Sequence, residues 1–211
     1  MEQIIQKNLQ KGEFRKALNL LEIYKSWNCE KILVNSRTAE LIKYTNNSFL
    51  ALLISTSNEI ANLSRSIGSI DYKKVVEGVK LDKRWNPVVN KSRVNPEILS
   101  YLNPGCGFGG SCLPKDVNAL INMAKNKKRD LKIMKSVLEV NKLQPKELVS
   151  YLTQFYDLSN KKILILGLSF KPGTDDVRES SAITVINELK KISKAIFAHD
   201  PISVSNFKKV M

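Results

Sequence analysis

Residues 38–66 read TAELIKYTNNSFLALLISTSNEIANLSRS, and this stretch decides the fold. It holds neither proline nor glycine, and Gly68 ends it, as a residue free to adopt positive φ commonly ends a helix. At 1.5 Å per residue, a helix over this stretch is on the order of 40 Å long. Leu41, Ile42, Phe49, Leu50, Leu52, Leu53, Ile54, Ile60, Ala61 and Leu63 make it apolar over much of its surface. That predicts a helix buried on more than one side, at the centre of a domain or in a dimer interface. Lys43 and Asn47 interrupt the apolar run four residues apart and so share a face. They are either a solvent-facing stripe or a polar site in an apolar setting.

On the N-terminal side, residues 1–27 carry apolar positions at roughly helical spacing, interrupted by Gly12. Lys31–Val34 is a strand or the entry to the long helix. On the C-terminal side, Tyr72–Leu81 reads as a shorter helix. A loop rich in Pro and Asn follows, with a short helix at Glu97–Leu102. Pro114 opens a helix that reaches Asn126, a position where its missing N–H costs nothing. Leu131–Tyr156 is helical, with Pro145 marking a break or a fresh start. The pattern then changes. Ile163-Leu164-Ile165-Leu166-Gly167 is a continuous apolar run, as in a strand buried on both faces. After a polar turn, Lys171–Glu179, come a helix over Ser181–Ile192 and a strand at Ala195–Ala198, one β-α-β unit. The predicted fold is a mostly α central domain with a long core helix, followed by a partial α/β, Rossmann-like unit.

Composition narrows the function classes. No run approaches the ~18 apolar residues of a membrane span, and the first residues are no signal peptide, so a cytoplasmic protein without a membrane partner is expected. Cys29, Cys106 and Cys112 form no C-x-x-C pair, which argues against a disulfide framework and against a zinc site. His199 alone cannot build a His-based metal site or a Ser-His-Asp triad, so no metal is expected; it reads as a surface or strand-end residue. Lys and Arg outnumber Asp and Glu by 34 to 20, a net charge of +14. The basic residues are spread along the chain without interleaved aromatics, which favours a solvated surface over nucleic-acid binding.

Gly105-Cys106-Gly107-Phe108-Gly109-Gly110 fits the dinucleotide pattern G-x-G-x-x-G letter for letter. That pattern needs a buried strand before it, and Pro104 stands where the strand should end. Consecutive backbone N–H groups in such a turn can instead form an anion-binding nest. Cys112 ends the turn just before the helix of Pro114, with Lys115 nearby. A helix N-terminus and a cation both favour a thiolate, although structural glycines beside a buried, inert cysteine fit the same letters. Asp116, one helical turn past Cys112, is either a base or an acid that complements the helix dipole.

Three segments together resemble the UDP-glucose/GDP-mannose dehydrogenase family. Residues 38–47 look like the opening of its central helix. Gly107-Phe108-Gly109-Gly110-Ser111-Cys112-Leu113-Pro114-Lys115-Asp116 resembles its catalytic cysteine motif. Leu166-Gly167-Leu168-Ser169-Phe170-Lys171-Pro172-Gly173-Thr174-Asp175-Asp176-Val177-Arg178-Glu179-Ser180 resembles the entry to its nucleotide-binding C-terminal domain. The resemblance implies oxidation of a sugar alcohol to a carboxylate in two NAD-dependent steps, through a thiohemiacetal and a thioester on the enzyme. It implies Cys112 as nucleophile, Lys43 and Asn47 as stabilisers of an oxyanion, and Asp116 as the group that assists proton transfer. It places Lys115 and Arg178 near the cofactor, and Gly107, Phe108, Gly109, Phe170 and Lys171 at the nucleotide sugar. Arg93 would reach the sugar or a neighbouring subunit.

The implied domains are a remnant of an N-terminal domain at 1–34, a central helical dimerisation and catalytic domain at 35–157, and a truncated nucleotide-sugar-binding domain at 158–211. Family members carry a full NAD-binding domain first, which this sequence does not show. The expectation is therefore a nucleotide-sugar dehydrogenase fragment, inactive alone and homodimeric. The alternative is a catalytically silent dimerisation module from a truncated gene.

Overall fold

The computed structural model describes residues 3–6 and 21–211. The chain divides into two compact units, residues 1–46 and 47–211. In the first unit, strand β1 (Gln3–Gln6) pairs in parallel with β2 (Lys31–Val34), from Gln3 opposite Lys31 to Gln6 opposite Val34. The helix expected over residues 1–27 is thus corrected at residues 3–6; its stretch over 7–20 lies outside the described residues. The physical reason is the Ile4-Ile5 pair. β-Branched side chains favour strand, and a few apolar residues in a short window fit either period. Asn35 then caps the long helix α1 (Ser36–Ile67), its Oδ1 accepting the Thr38 N–H at 2.9 Å.

The second unit contains most of α1 and the elements after it. Helix α2 (Tyr72–Val79) starts on Asp71, whose carboxylate accepts the Lys73 N–H at 2.9 Å. The expected Pro/Asn loop contains a small hairpin, β3 (Val88–Val89) and β4 (Ser92–Arg93). Asn90 and Lys91 turn it at φ of 50° and 63°, the pair of positive values a type I′ turn needs. Glu97–Leu102 is a 3-10 helix. Helix α3 (Leu113–Asn126) carries Pro114 in its first turn, and α4 spans Lys132–Phe155.

Pro145 does not break α4; this corrects the expected interruption. It is buried mid-helix, and both flanks of α4 are anchored. Met134, Val137 and Leu138 pack with Ala51, Phe108 and Val117, while Leu148 and Val149 pack with Val185 and Leu189. Burial on both sides outweighs the roughly 3 kcal/mol a mid-helix proline costs.

Strand β5 (Lys162–Leu166), helix α5 (Ser181–Leu189) and strand β6 (Ala195–His199) form the expected β-α-β unit. The strands are parallel, with Lys162 opposite Ala195 and Leu166 opposite His199. A short helix α6 (Val204–Phe207) closes its core of Leu168, Val177, Ile186 and Phe207. The expectation that β5 is buried on both faces is corrected. Ile163 and Ile165 pack toward the helices, but Leu164 and Leu166 are 57% and 73% exposed. Among the described residues, helices cover this sheet on one face.

Helix α1 also departs from its expected burial. Its buried residues are Ala39, Ser48, Ala51, Ser55, Ser57, Asn58, Ala61 and Ser64, whereas Phe49, Leu63 and Ile67 are 60%, 58% and 63% exposed. The Ser55 hydroxyl donates to the Val137 carbonyl of α4 at 2.9 Å. The buried residues of this helix are small or polar, and the large apolar ones are left partly or largely exposed. No helix among the described residues is long and apolar enough to cross a membrane.

Candidate active site

The Gly-rich turn is held by its neighbours, and Gly107, Gly109 and Gly110 each have their own reason. Gly107 and Gly110 adopt φ of 92° and 77°. A Cβ on Gly107 would lie 2.6 Å from Asn141 Oδ1; one on Gly110 would lie 2.6 Å from the Phe170 ring. On Gly109 it would lie 2.0 Å from the Glu179 carbonyl oxygen. Backbone therefore meets backbone here, and the Gly110 N–H donates to the Arg178 carbonyl at 2.9 Å. Phe108 fills the core between Ala51, Val117 and Val137.

The turn delivers Cys112 as the N-cap residue of α3, exposed, its Sγ 3.8 Å from the Ser111 hydroxyl. Its carbonyl accepts the Asp116 N–H at 2.9 Å, the first turn of the helix. Asp116 is fully buried and lies in the first turn of the helix. Its Oδ2 accepts the Asn47 side-chain N–H at 2.6 Å, and the Lys115 ammonium lies 3.5 Å from Oδ1. Asn47 and Asp116 are thus brought together, with Lys115 beside them.

Arg178 is exposed and forks onto Asp176, Nε to Oδ1 at 2.9 Å and Nη2 to Oδ2 at 2.6 Å. These bonds hold the Asp176 carboxyl down at about 2 and raise the guanidinium in turn. The Cys112 side chain pushes Arg178 in the same direction, by a smaller amount, so cation and thiol are within electrostatic reach. Cys106 contrasts with Cys112: it is half-buried, and burial pushes its thiol up, against a smaller opposing influence of Arg65.

Gly107, Phe170 and Lys171 line a cavity of about 670 Å³ together with Cys106, Ser169 and Asp200. The Lys171 ammonium lies 5.4 Å from the Phe170 ring centroid. Phe108 lines a separate cavity of about 560 Å³ with Asn141 and Glu179. Lys43 lies on α1 in the first unit, exposed, its ammonium 5.8 Å from the Tyr44 ring centroid. Arg93 is tied to the hairpin region, donating to the carbonyls of Leu81 at 3.0 Å, Asn86 at 3.1 Å and Lys80 at 3.3 Å. His199 is the exposed end of β6.

The sequence reading passed over three carboxamides that touch the turn: Asn58, Asn141 and Gln144. Their one signal was polarity at helix positions that otherwise follow the apolar period, as in Val140-Asn141-Lys142-Leu143-Gln144.

The region thus combines a thiol at a helix N-terminus, a buried carboxylate one turn on and an adjoining β-α-β unit. Residues 37–143 match the UDP-glucose/GDP-mannose dehydrogenase family, central domain, and residues 164–211 match the same family's UDP binding domain. The chain belongs to the UDP-glucose/GDP-mannose dehydrogenase family. A UDP-glucose 6-dehydrogenase of Rickettsia prowazekii is 44% identical over 180 residues, 84% of this chain and 38% of the relative. The UDP-glucose 6-dehydrogenase YwqF of Bacillus subtilis is 39% identical over 196 residues, 92% of this chain and 42% of the relative. The solved UDP-glucose dehydrogenase of the hyperthermophilic archaeon Pyrobaculum islandicum superposes with a TM-score of 0.81 at 38% identity, covering 94% of this chain and 43% of its own. The chain thus spans about two fifths of the length of these relatives.

Proposed function

We propose that this chain supplies the reacting thiol of a nucleotide-sugar dehydrogenase, with Cys112 adding to the aldehyde of a partly oxidised nucleotide sugar. The observation that carries the reading is the exposed Cys112 at the N-terminus of α3, with buried Asp116 one turn on and held by Asn47 at 2.6 Å. In the addition, the thiolate forms a C–S bond and the carbonyl π bond opens onto oxygen. The oxyanion then takes a proton and a thiohemiacetal results. Asn47 stabilises the oxyanion, and Asp116 assists the proton transfer; the same role for Lys43, in the first unit, is carried by the family resemblance alone. Phe170, Lys171 and the backbone of Gly107–Gly109 face the nucleotide sugar, for which the names of the relatives make UDP-glucose the first candidate. Arg93 serves there only if its three carbonyl contacts are released.

NAD, which the family resemblance implies, accepts the hydrides in such a reaction. The described residues do not build its cradle. The one stretch with the right letters, Gly105–Gly110, follows a 3-10 helix instead of a strand and is packed against Asn141, Phe170 and Glu179. No step through NAD is therefore derived; Lys115 and Arg178 are the residues the family resemblance puts near that anionic cofactor. The isolated chain is expected to give no UDP-glucose-dependent NADH; clear turnover would overturn this assignment of parts.

The thiol itself is tested by alkylation with iodoacetamide in a chain carrying Cys29→Ser and Cys106→Ser. Cys112 is expected to react several-fold faster at neutral pH than free cysteine. Equal rates would refute the nucleophile. A second element of the proposal is a homodimer through α1, supported by the exposed stripe of Phe49, Ile60, Leu63 and Ile67. A chain that sediments as a monomer at high concentration would exclude it.

A further inference from the structure

We propose that Asn141 is a positioning residue for Cys112, its side-chain amide gripping both backbone polar groups of Phe108 and so fixing where the turn delivers the sulfur. The inference rests on the reading of Cys112 as the reacting thiol. The Phe108 N–H donates to Asn141 Oδ1 at 2.7 Å, and Asn141 Nδ2 donates to the Phe108 carbonyl at 2.9 Å. A carboxamide presents acceptor and donor side by side in this way at any pH, a carboxyl only when protonated. A second grip lies three residues earlier. The Gly105 N–H donates to Asn58 Oδ1 at 2.7 Å, and Gln144 Nε2 donates to the Gly105 carbonyl at 2.9 Å. Gln144 is itself fixed, its Oε1 accepting from Asn62 Nδ2 at 2.8 Å.

Helices α1 and α4 therefore hold the backbone of the turn at both Gly105 and Phe108, and Gly107 between them presses against Asn141. Beyond Phe108 the path to Cys112 passes through Gly109 and Gly110, the residues that restrict a chain least. The burial of the Phe108 ring anchors a side chain but leaves the peptide planes around it free to tilt. The Asn141 bonds set those planes, and through them the direction in which the glycines leave. Arg178 lies within electrostatic reach of the sulfur, and Lys115 is three residues on in the same helix turn, so the sulfur's position is expected to be readable with a charged reagent.

The test uses the full chain with Cys29→Ser and Cys106→Ser, so that Cys112 alone reacts, and compares iodoacetate with iodoacetamide. In this setting the anionic reagent is favoured by about threefold relative to its ratio with free cysteine. Asn141→Leu, close in size and without hydrogen-bonding groups, is expected to bring the ratio to that of free cysteine. Asn141→Asp restores acceptor and donor only when protonated. Its ratio is therefore expected to climb toward the parent value as pH falls into the ordinary Asp range near ~4, while the parent ratio stays flat. Ser55→Ala removes the separate α1–α4 bond to Val137 and is expected to lower stability without moving the ratio. An activated parent thiol whose ratio is unchanged in Asn141→Leu, or an Asn141→Asp ratio that is flat with pH, overturns the positioning role alone. A parent thiol no faster than free cysteine overturns the nucleophile, and this inference with it. If Asn141→Leu does not fold, the pH profile of Asn141→Asp decides the question.

Discussion

Replacing Gly109 with alanine tests the claim that the cysteine turn and the segment before α5 meet backbone to backbone. The new Cβ would sit 2.0 Å from the Glu179 oxygen and 2.8 Å from its carbonyl carbon, with Phe170 Cβ at 3.3 Å. Ordinary van der Waals contact begins near 3.4 Å, so the two strands of chain must separate by about 1.4 Å. The first obstacle is a main-chain carbonyl, which cannot rotate out of the way as a side chain could. Separation also stretches the adjacent Gly110 N–H to Arg178 carbonyl bond of 2.9 Å. Overpacking of this kind costs roughly 1–3 kcal/mol, and loss of the bond about 1 more, so ~2–4 kcal/mol is expected in urea unfolding. Two companions separate the causes. Gly167→Ala meets nothing within 4 Å but must hold φ at 92°, which costs roughly 1–2 kcal/mol. Gly105→Ala meets nothing and needs no positive φ, and should be neutral or stabilising by up to ~1 kcal/mol. A Gly109→Ala chain as stable as Gly105→Ala would refute the reasoning.

Further outcomes are expected elsewhere. Asn47→Ala leaves the buried Asp116 carboxylate without its 2.6 Å donor and should cost about 2 kcal/mol, measured by urea unfolding; a loss below ~0.5 kcal/mol would show the bond to be incidental. The Asp200 carboxylate accepts the N–H groups of Leu168, Ile202 and Ser203 at 2.9–3.0 Å, which hold it well below the ordinary carboxylate range. A lowered carboxylate stabilises above its unfolded pKa of about 3.9 and ceases to as pH falls through its folded value. The melting temperature should thus drop progressively below pH ~4, and Asp200→Asn should start several degrees lower and fall less steeply over that window. Leu63→Lys on the outer stripe of α1 should convert a dimer to monomer in sedimentation without weakening the helix; an unchanged assembly would move the interface elsewhere.

The sequence was most readable where one physical demand dominated. A stretch free of Gly and Pro gave α1, a β-branched and leucine run beside glycine gave β5, and the order of strand, helix and strand gave their parallel pairing. The cysteine turn was legible as a motif, and its likeness to a known family carried the candidate residues. What escaped depended on distant partners. That Gln3–Gln6 is a strand rests on Lys31–Val34 lying beside it. That Pro145 sits inside a helix rests on packing at both of its flanks. The carboxamides of Asn58, Asn141 and Gln144 became visible only when the turn lay against them. Arg93, for which the resemblance implied a contact with the sugar or a neighbouring subunit, has its described bonds to the carbonyls of Lys80, Leu81 and Asn86.

The small inner face of α1 has a consequence for how this helix can vary. Ser48, Ala51, Ser55, Asn58 and Ala61 are buried, so enlargement there meets packed neighbours. Phe49, Leu63 and Ile67 meet no such limit within the unit itself. Random drift should therefore scatter freely over the outer stripe and spare the inner one. If the outer residues prove equally resistant to change, the restraint must come from outside the chain, and the pattern of permitted substitutions would reveal a contacting surface before any complex is isolated.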